Sequence, residues 1–184
     1  MKVLLNLFSL KLIASILGLV SSIITVKFFG ATRLIEIYFA AQTLVYLVAS
    51  LTQSGQLAEV FLPEYHRLNK VSKKISFAAL NVVVNRFFLW GAFITAIIFL
   101  AAPFLIKLTV PGYSLVEQEL VVLIFRVLLP YLFLQFFNSF FITVLNAEKK
   151  YGKAELIGLI NITINILILI IFFESLGIWA LVIS

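Results

Sequence analysis

"ISFAALNVVVNRFFLWGAFITAIIFLAAPFLIK", residues 75–107, carries a single charged side chain, Arg86, before the lysine that closes it. About 20 mostly apolar residues cross the hydrocarbon of a bilayer at 1.5 Å per residue, so this run is long enough to span. It does not alternate apolar and polar positions, which argues against a barrel strand. The rest of the chain identifies its solvent. Of 184 residues, 63% are hydrophobic and 12% charged, whereas a soluble domain is about a quarter charged. So short a chain cannot build a core large enough to hide that much apolar surface from water. The solvent is lipid.

Four more apolar runs flank this one, near 5–29, 34–62, 115–146 and 154–174. Gly30, Pro63, "VPGY" at 110–113 and Tyr151-Gly152 punctuate them, and proline and glycine are the strongest local turn signals. The expected fold is all-α, a polytopic membrane helix bundle of five full spans. "GIWALVIS" at the end begins a sixth and stops after about 12 Å of helix. Residues 1–184 are therefore expected to form one transmembrane domain, the fragment of a longer protein or one piece of a split one. The first run follows Lys2, is interrupted by Lys11 and has no clear small-x-small cleavage site, so it reads as a retained span rather than a signal peptide.

The net charge is +6, and its placement matters more than its size. His66, Arg67, Lys70, Lys73 and Lys74 lie between the second and third runs, and Lys149, Lys150 and Lys153 between the fourth and fifth. The other loops are poorer in Lys and Arg. The positive-inside rule puts both basic loops, and with them the N-terminus, in the cytoplasm. Topology and anionic headgroups account for the basic patches, which leaves no role for nucleic acid. Localisation in the cytoplasmic (inner) membrane is expected. The chain has no cysteine, so neither a disulfide framework nor a thiolate metal site can form. His66 is the single histidine and reads as a solvated loop residue, not a ligand. No phosphate loop precedes a lysine. No metal, cofactor or catalytic constellation is indicated, and the chain does not read as an enzyme.

Ionisable and polar side chains at lipid depth are costly, which makes them functional candidates. Arg86 lies about three turns into the third run. Arg126 lies about two turns into the fourth, four residues before Pro130, and an interior proline frees a backbone carbonyl that needs another partner. Lys11, Ser15 and Ser22 share one face of the first helix, Gln42 and Gln53 one face of the second, and Asn161 and Asn165 one face of the fifth. Gln135 and Asn138 are three apart on the fourth. Each alone fits an interhelical hydrogen bond. Four helices with polar faces together point to a wet crevice between them.

The residues that carry a family resemblance are now in view. "VKFFGATRLIEIYFAAQTL" resembles the start of the MurJ/MviN lipid II flippases, with Lys27 and Phe29-Gly30-Ala31 ending the first helix and Glu36 before Tyr38-Phe39 opening the second. "SGQLAEVFLPEY" is similar to a gate-region segment of that family, matching at Gly55, Phe61 and Pro63. "APFLIKLTVPGY" resembles its outer turn, and "LPYLFLQFF…ITVLNAEKKYGKAELIGLINI" its fourth and fifth helices, with Pro130, Leu145, Asn146 and Asn161 in register. The resemblance runs almost end to end and covers about the first third of a fourteen-helix transporter of the MOP superfamily. In the family, arginines on the first two helices line the cavity and hold a pyrophosphate. The matching positions here are Ser15, Ser21, Ala49 and Ser50, and Ser22 replaces an acidic neighbour. A serine cannot supply the charged, rigid fork of an arginine.

The resemblance implies a flippase that moves a lipid-linked saccharide across the membrane by alternating access. Its partners would be the bilayer, that lipid-linked glycan, and the remaining helices of the transporter. Arg126 would contact an anionic headgroup, with Arg86 as a second cation. Ser15, Ser22, Gln42, Gln53, Asn138 and Asn161 would line the path. Gly55, Pro63, Pro130, Glu36 and Lys27 would serve the gate or the frame. Two other functions fit the same helices: a flippase-derived scaffold or assembly subunit without transport, and an ion-coupled exporter of the same superfamily.

Overall fold

The computed structural model describes residues 2–52 and 56–184, with side chains apart from 2–6, 51–52, 56–62, 87, 135–136, 139–140, 147 and 154. Among the described residues seven helices follow one another: α1 (Lys2–Phe29), α2 (Arg33–Thr52), α3 (Gln56–Val71), α4 (Lys73–Thr109), α5 (Leu115–Ala147), α6 (Tyr151–Leu176) and α7 (Ile178–Ile183). No strand occurs among the described residues. The chain is an all-α membrane helix bundle. Leu7–Phe29 of α1, α4 and α6 are each long and apolar enough to cross a membrane. Large apolar side chains such as Phe8, Leu100, Phe104 and Ile171 stand exposed along them, as helices solvated by acyl chains allow. The helices fall into two compact units, Met1–Ala40 with Glu148–Ser184, and Ala41–Ala147.

In the first unit α1 packs on α6. Phe28 stacks on Phe173 with ring centroids 4.2 Å apart, and Phe29 meets the same ring edge-on at 5.2 Å. At the opposite end Lys11 Nζ lies 3.7 Å from a carboxylate oxygen of Glu155. Early residues meet early ones and late meet late, so α1 and α6 run parallel. The 17 residues from Lys11 to Phe28 rise about 26 Å, close to the thickness of a bilayer core. Gly30 takes φ 56° and its N–H donates to Val26 O at 2.8 Å, which closes α1 with a left-handed cap open to glycine. Gly177, at φ 55°, turns the chain from α6 into the six-residue α7.

The second unit is an antiparallel pair, α4 and α5, with α3 laid against both. Phe88 of α4 touches Phe133 and Phe137 of α5 at centroid distances of 5.2 and 5.6 Å, and Arg126 reaches Phe99 further along. The turn between them is built by hydrogen bonds. Ser114 caps α5: its Oγ accepts from Glu117 N–H at 3.3 Å while the Glu117 carboxylate accepts from Ser114 N–H at 2.8 Å, a reciprocal capping box. The Gln118 amide donates to Tyr113 O at 3.0 Å and holds the "VPGY" turn down.

At the other end the structure departs from the sequence reading. Helix was expected to stop at residue 62 and a loop to run from 63 to 74. Instead Pro63 lies inside α3, the helix continues to Val71, and only Ser72 separates it from α4. The reason is tertiary. Tyr65 is 2% exposed and packs with Leu80, Val83, Val84 and Val144 of α4 and α5. Burying an aromatic of that size contributes on the order of 2–3 kcal/mol, which offsets much of a proline's cost of about 3 kcal/mol in a helix interior. His66, Arg67 and Lys70 stay exposed on the far side. Ser72 then caps α4, accepting from Lys74 N–H at 3.3 Å. Ser76, fully buried, has its hydroxyl 2.9 Å from the Lys73 carbonyl and 3.4 Å from Asn69 Oδ1, which ties the two helices at their corner.

Candidate functional site

Prolines decide where the groove between α4 and α5 becomes polar. Pro103 has no N–H, so the carbonyl four residues earlier, that of Phe99, loses its helical donor. At lipid depth such a carbonyl needs another partner. Arg126 on α5 supplies it: its Nε donates to Phe99 O at 3.2 Å. The guanidinium carbon also lies 4.7 Å from the centre of the Phe99 ring, a cation–π contact. One side chain is thus pinned twice to one residue of the neighbouring helix. A fixed guanidinium keeps donors on its terminal nitrogens, arranged to match a carboxylate or phosphate.

Arg126 lines a cleft of about 710 Å³ with Lys107, Glu119, Pro103, Phe99 and Val122. Among the described residues, no ion pair engages Lys107, Glu119 or Arg126. The cleft therefore presents two cations and one anion beside apolar walls. Its neighbour, about 570 Å³, shares Phe99 and continues along the same helix pair between Phe88, Ala92, Ala96, Leu129 and Phe133. The second cleft is almost wholly apolar. Gly91 lies next to Ala92 on α4, and a Cβ there would come 3.1 Å from the Phe133 ring. Both volumes fall in the range of ligand-sized clefts.

The other expected site residues divide between the two units. In the first, Ser15 and Ser22 are exposed, with hydroxyls donating to Lys11 O and Gly18 O at 3.0 Å within α1 itself. Lys27 is exposed in the last turn of α1, where a cation complements the helix dipole. Glu36 pairs with Arg33 one turn away, both exposed. Asn161 is exposed on α6. In the second unit Gln42 and Asn138 are half-buried, and Arg86 is exposed on α4. Pro63 is inside α3 and Pro130 inside α5, both exposed. Gln53 and Gly55 lie outside the described residues. Arg126 is the expected residue that the structure places in a cleft together with another charge.

Sequence reasoning missed Lys107, Glu119 and Phe99 as cleft residues. The signal for Phe99 was present, because its offset of four from Pro103 marks the orphaned carbonyl. Attention to Pro130 alone pointed at the wrong carbonyl.

Residues 25–184 match the family model described as lipid II flippase MurJ. The chain is also 29% identical over 145 residues to a probable lipid II flippase MurJ of Rickettsia prowazekii (strain Madrid E), an alignment that covers 78% of the chain. The aligned part spans 29% of that relative's length. No solved structure matches.

Proposed function

We propose, from the premise that this chain belongs to the lipid II flippase MurJ family, that it forms the N-terminal bundle of a transporter in the cytoplasmic membrane. The transporter moves a lipid-linked saccharide from one leaflet to the other by alternating access. In transporters of that kind two helix bundles rock about a site near the midplane, and this chain supplies most of one bundle. The observation that carries the reading is Arg126, an arginine fixed between two membrane helices in a cleft that holds a second cation. A transported phosphate or pyrophosphate is the ligand such a fork suits. Arg86 is a second, weaker contact. Ser15, Ser22, Gln42, Gln53, Asn138 and Asn161 line the path or meet the helices of the other bundle, and Gly55, Pro63, Pro130, Glu36 and Lys27 serve the gate and frame. The two basic segments face the cytoplasm with the N-terminus, as their Lys and Arg content favours, and the parallel course of α1 and α6 is consistent with the N-terminal part of α1 and the start of α6 lying on one side.

The test is a flipping assay on the full protein in proteoliposomes with a pyrophosphate-linked lipid. Arg126→Ala is expected to slow flipping about tenfold or more, the worth of one charge-assisted contact, while membrane insertion stays intact. Arg126→Lys is expected to keep part of the rate. Undiminished flipping by Arg126→Ala rejects the headgroup role. A wild-type protein that flips nothing favours the scaffold reading.

A further inference from the structure

We infer that the corner where α3 meets α4 is a docking surface for an acidic, partly apolar segment of a cytoplasmic protein. The inference rests on the cytoplasmic placement of this corner and on no ligand of Arg126. Its first support is height. Between Arg86 and Lys107 α4 carries no charged residue, a stretch of about 30 Å that matches the hydrocarbon core. The part of α4 before Arg86 then lies outside the core. Phe77 and Ile75 stand about 14 and 17 Å further out along the helix, past a headgroup layer about 5–7 Å deep. The usual tilt of about 20° shortens these rises by less than a tenth. Helix α5 gives the same height. Counted from the contact of Arg126 with Phe99, Val144 lies about 27 Å along α5 and Leu80 about 28 Å along α4, and both belong to the Tyr65 cluster. That cluster is the core of a small three-helix projection beyond the bilayer.

The second support is what the projection shows to its surroundings. Val71, Phe77 and Ile75 are 74%, 51% and 48% exposed. Acyl chains would account for such side chains at lipid depth. In water, exposed apolar surface rimmed by polar groups marks an interaction site. Lys74, Ala78 and Val82 follow one another at offsets of four on α4, with Ile75 on one flank of that row and Phe77 on the other. All five are exposed. The rim is cationic. Lys70, Lys73 and Lys74 are exposed, and no ion pair engages them among the described residues. Arg67, by contrast, meets the Glu64 carboxylate at 2.7 Å.

Charge and height select the occupant. The bilayer stops short of Val71, Ile75 and Phe77. A second copy would set like charges face to face, because Glu64 is the lone acid between Pro63 and Arg86. Cytoplasmic loops further along a membrane chain are themselves rich in Lys and Arg, so they repel this corner as well. The complement is a segment of another protein that carries carboxylates beside apolar residues. Its carboxylates meet Lys70, Lys73 and Lys74, which set orientation and association rate. Its apolar side chains cover Ile75 and Phe77, which supply the affinity.

The experiment places a photoreactive benzoylphenylalanine at Val71 in the full protein, in nanodiscs of zwitterionic lipid. Leu100, exposed on α4 at lipid depth, is the control position. Three synthetic helical peptides are offered in turn: a leucine stripe flanked by glutamates, the same stripe flanked by lysines, and the glutamates with serines for the leucines. Capture of the first at Val71 is expected to exceed capture of either other about tenfold and to weaken as salt rises from about 0.05 to about 0.5 M, while Leu100 captures lipid. Lys73→Gln with Lys74→Gln is expected to lower the capture about tenfold. Ile75→Ser, which leaves every charge and hence the topology in place, is expected to lower it about threefold or more. In native membranes Val71 is expected to join a cytoplasmic protein at an acidic segment, and the double lysine variant to lose that product. Equal capture of the three peptides, capture indifferent to these substitutions, or native adducts that are absent or confined to lipid, a second copy or later residues of the same chain overturn the proposal. A cysteine at Lys73 that labels from the outer face overturns the cytoplasmic placement and the transport topology with it. Cytoplasmic labelling of Lys73 with adducts to lipid alone overturns the docking surface and leaves the transporter reading standing.

Discussion

Arg126 shows how a side chain on one helix can answer a backbone defect in another. Pro103 leaves the Phe99 carbonyl without its helical donor, and Arg126 Nε fills the vacancy from α5. An unsatisfied polar group away from water costs about 1–3 kcal/mol. Arg126→Ala is therefore expected to destabilise the protein by about that much, and Pro103→Ala, which restores the N–H, to recover most of the loss in the double variant. A double-mutant cycle on thermal unfolding in detergent reads the coupling, and strictly additive effects would show that the two residues act independently. The hydroxyls of Ser15 and Ser22 contrast with this. Each is already bonded to a carbonyl of its own helix, so neither needs a partner for its own satisfaction. Substituting alanine at either is expected to leave the unfolding midpoint unchanged within about 0.5 kcal/mol, and a larger loss would reveal a contact across helices.

At the scale of elements, two junctions hold the second unit. Gly91 lets the Phe133 ring approach α4, and that ring is braced by Phe88 and Phe137. Gly91→Leu forces the ring aside and is expected to cost about 1–3 kcal/mol, the usual range for overpacking. The unfolding midpoint measures it, and a neutral outcome means that the ring yields freely. Tyr65 fastens α3 to α4 and α5. Tyr65→Ala is expected to cost about 3 kcal/mol and to raise protease cleavage near Arg67 and Lys70, because the helix that shields those bonds loses its anchor. Cleavage unchanged from wild type would mean that α3 stays docked without Tyr65. The proline in α3 misled the sequence reading because the contacts that compensate it come from residues 15 to 79 positions further along the chain.

At the scale of the whole molecule, each unit makes a topological statement of its own. In the first, the parallel course of α1 and α6 sets the N-terminal part of α1 at the same end as the start of α6. In the second, Val144 of α5 packs near Leu80 of α4, so the end of α5 and the start of α4 share an end. The native chain has no cysteine, which makes labelling clean. Single cysteines at Lys73 and Lys149 are both expected to react only from the cytoplasmic side, and one at Gly112 only from the opposite side. Labelling of Lys73 and Lys149 from opposite faces would refute the topology and the transport reading with it.

What the sequence determined by itself was the solvent and therefore the class of fold. A chain so poor in charge has only helices and closed barrels open to it in a bilayer, and the long unalternating runs chose helices. The order of its motifs also identified the family. Composition and periodicity are local sums, legible without knowing what touches what. Tertiary structure decided the rest: that α3 continues through Pro63, that Arg126 reaches Phe99, and that Lys107, Glu119 and Arg126 share a cleft with an apolar trough beyond it. Those relations join residues 7 to 79 positions apart, set by how two helices cross. A one-dimensional pattern records which face a side chain occupies, but not which neighbour that face will meet.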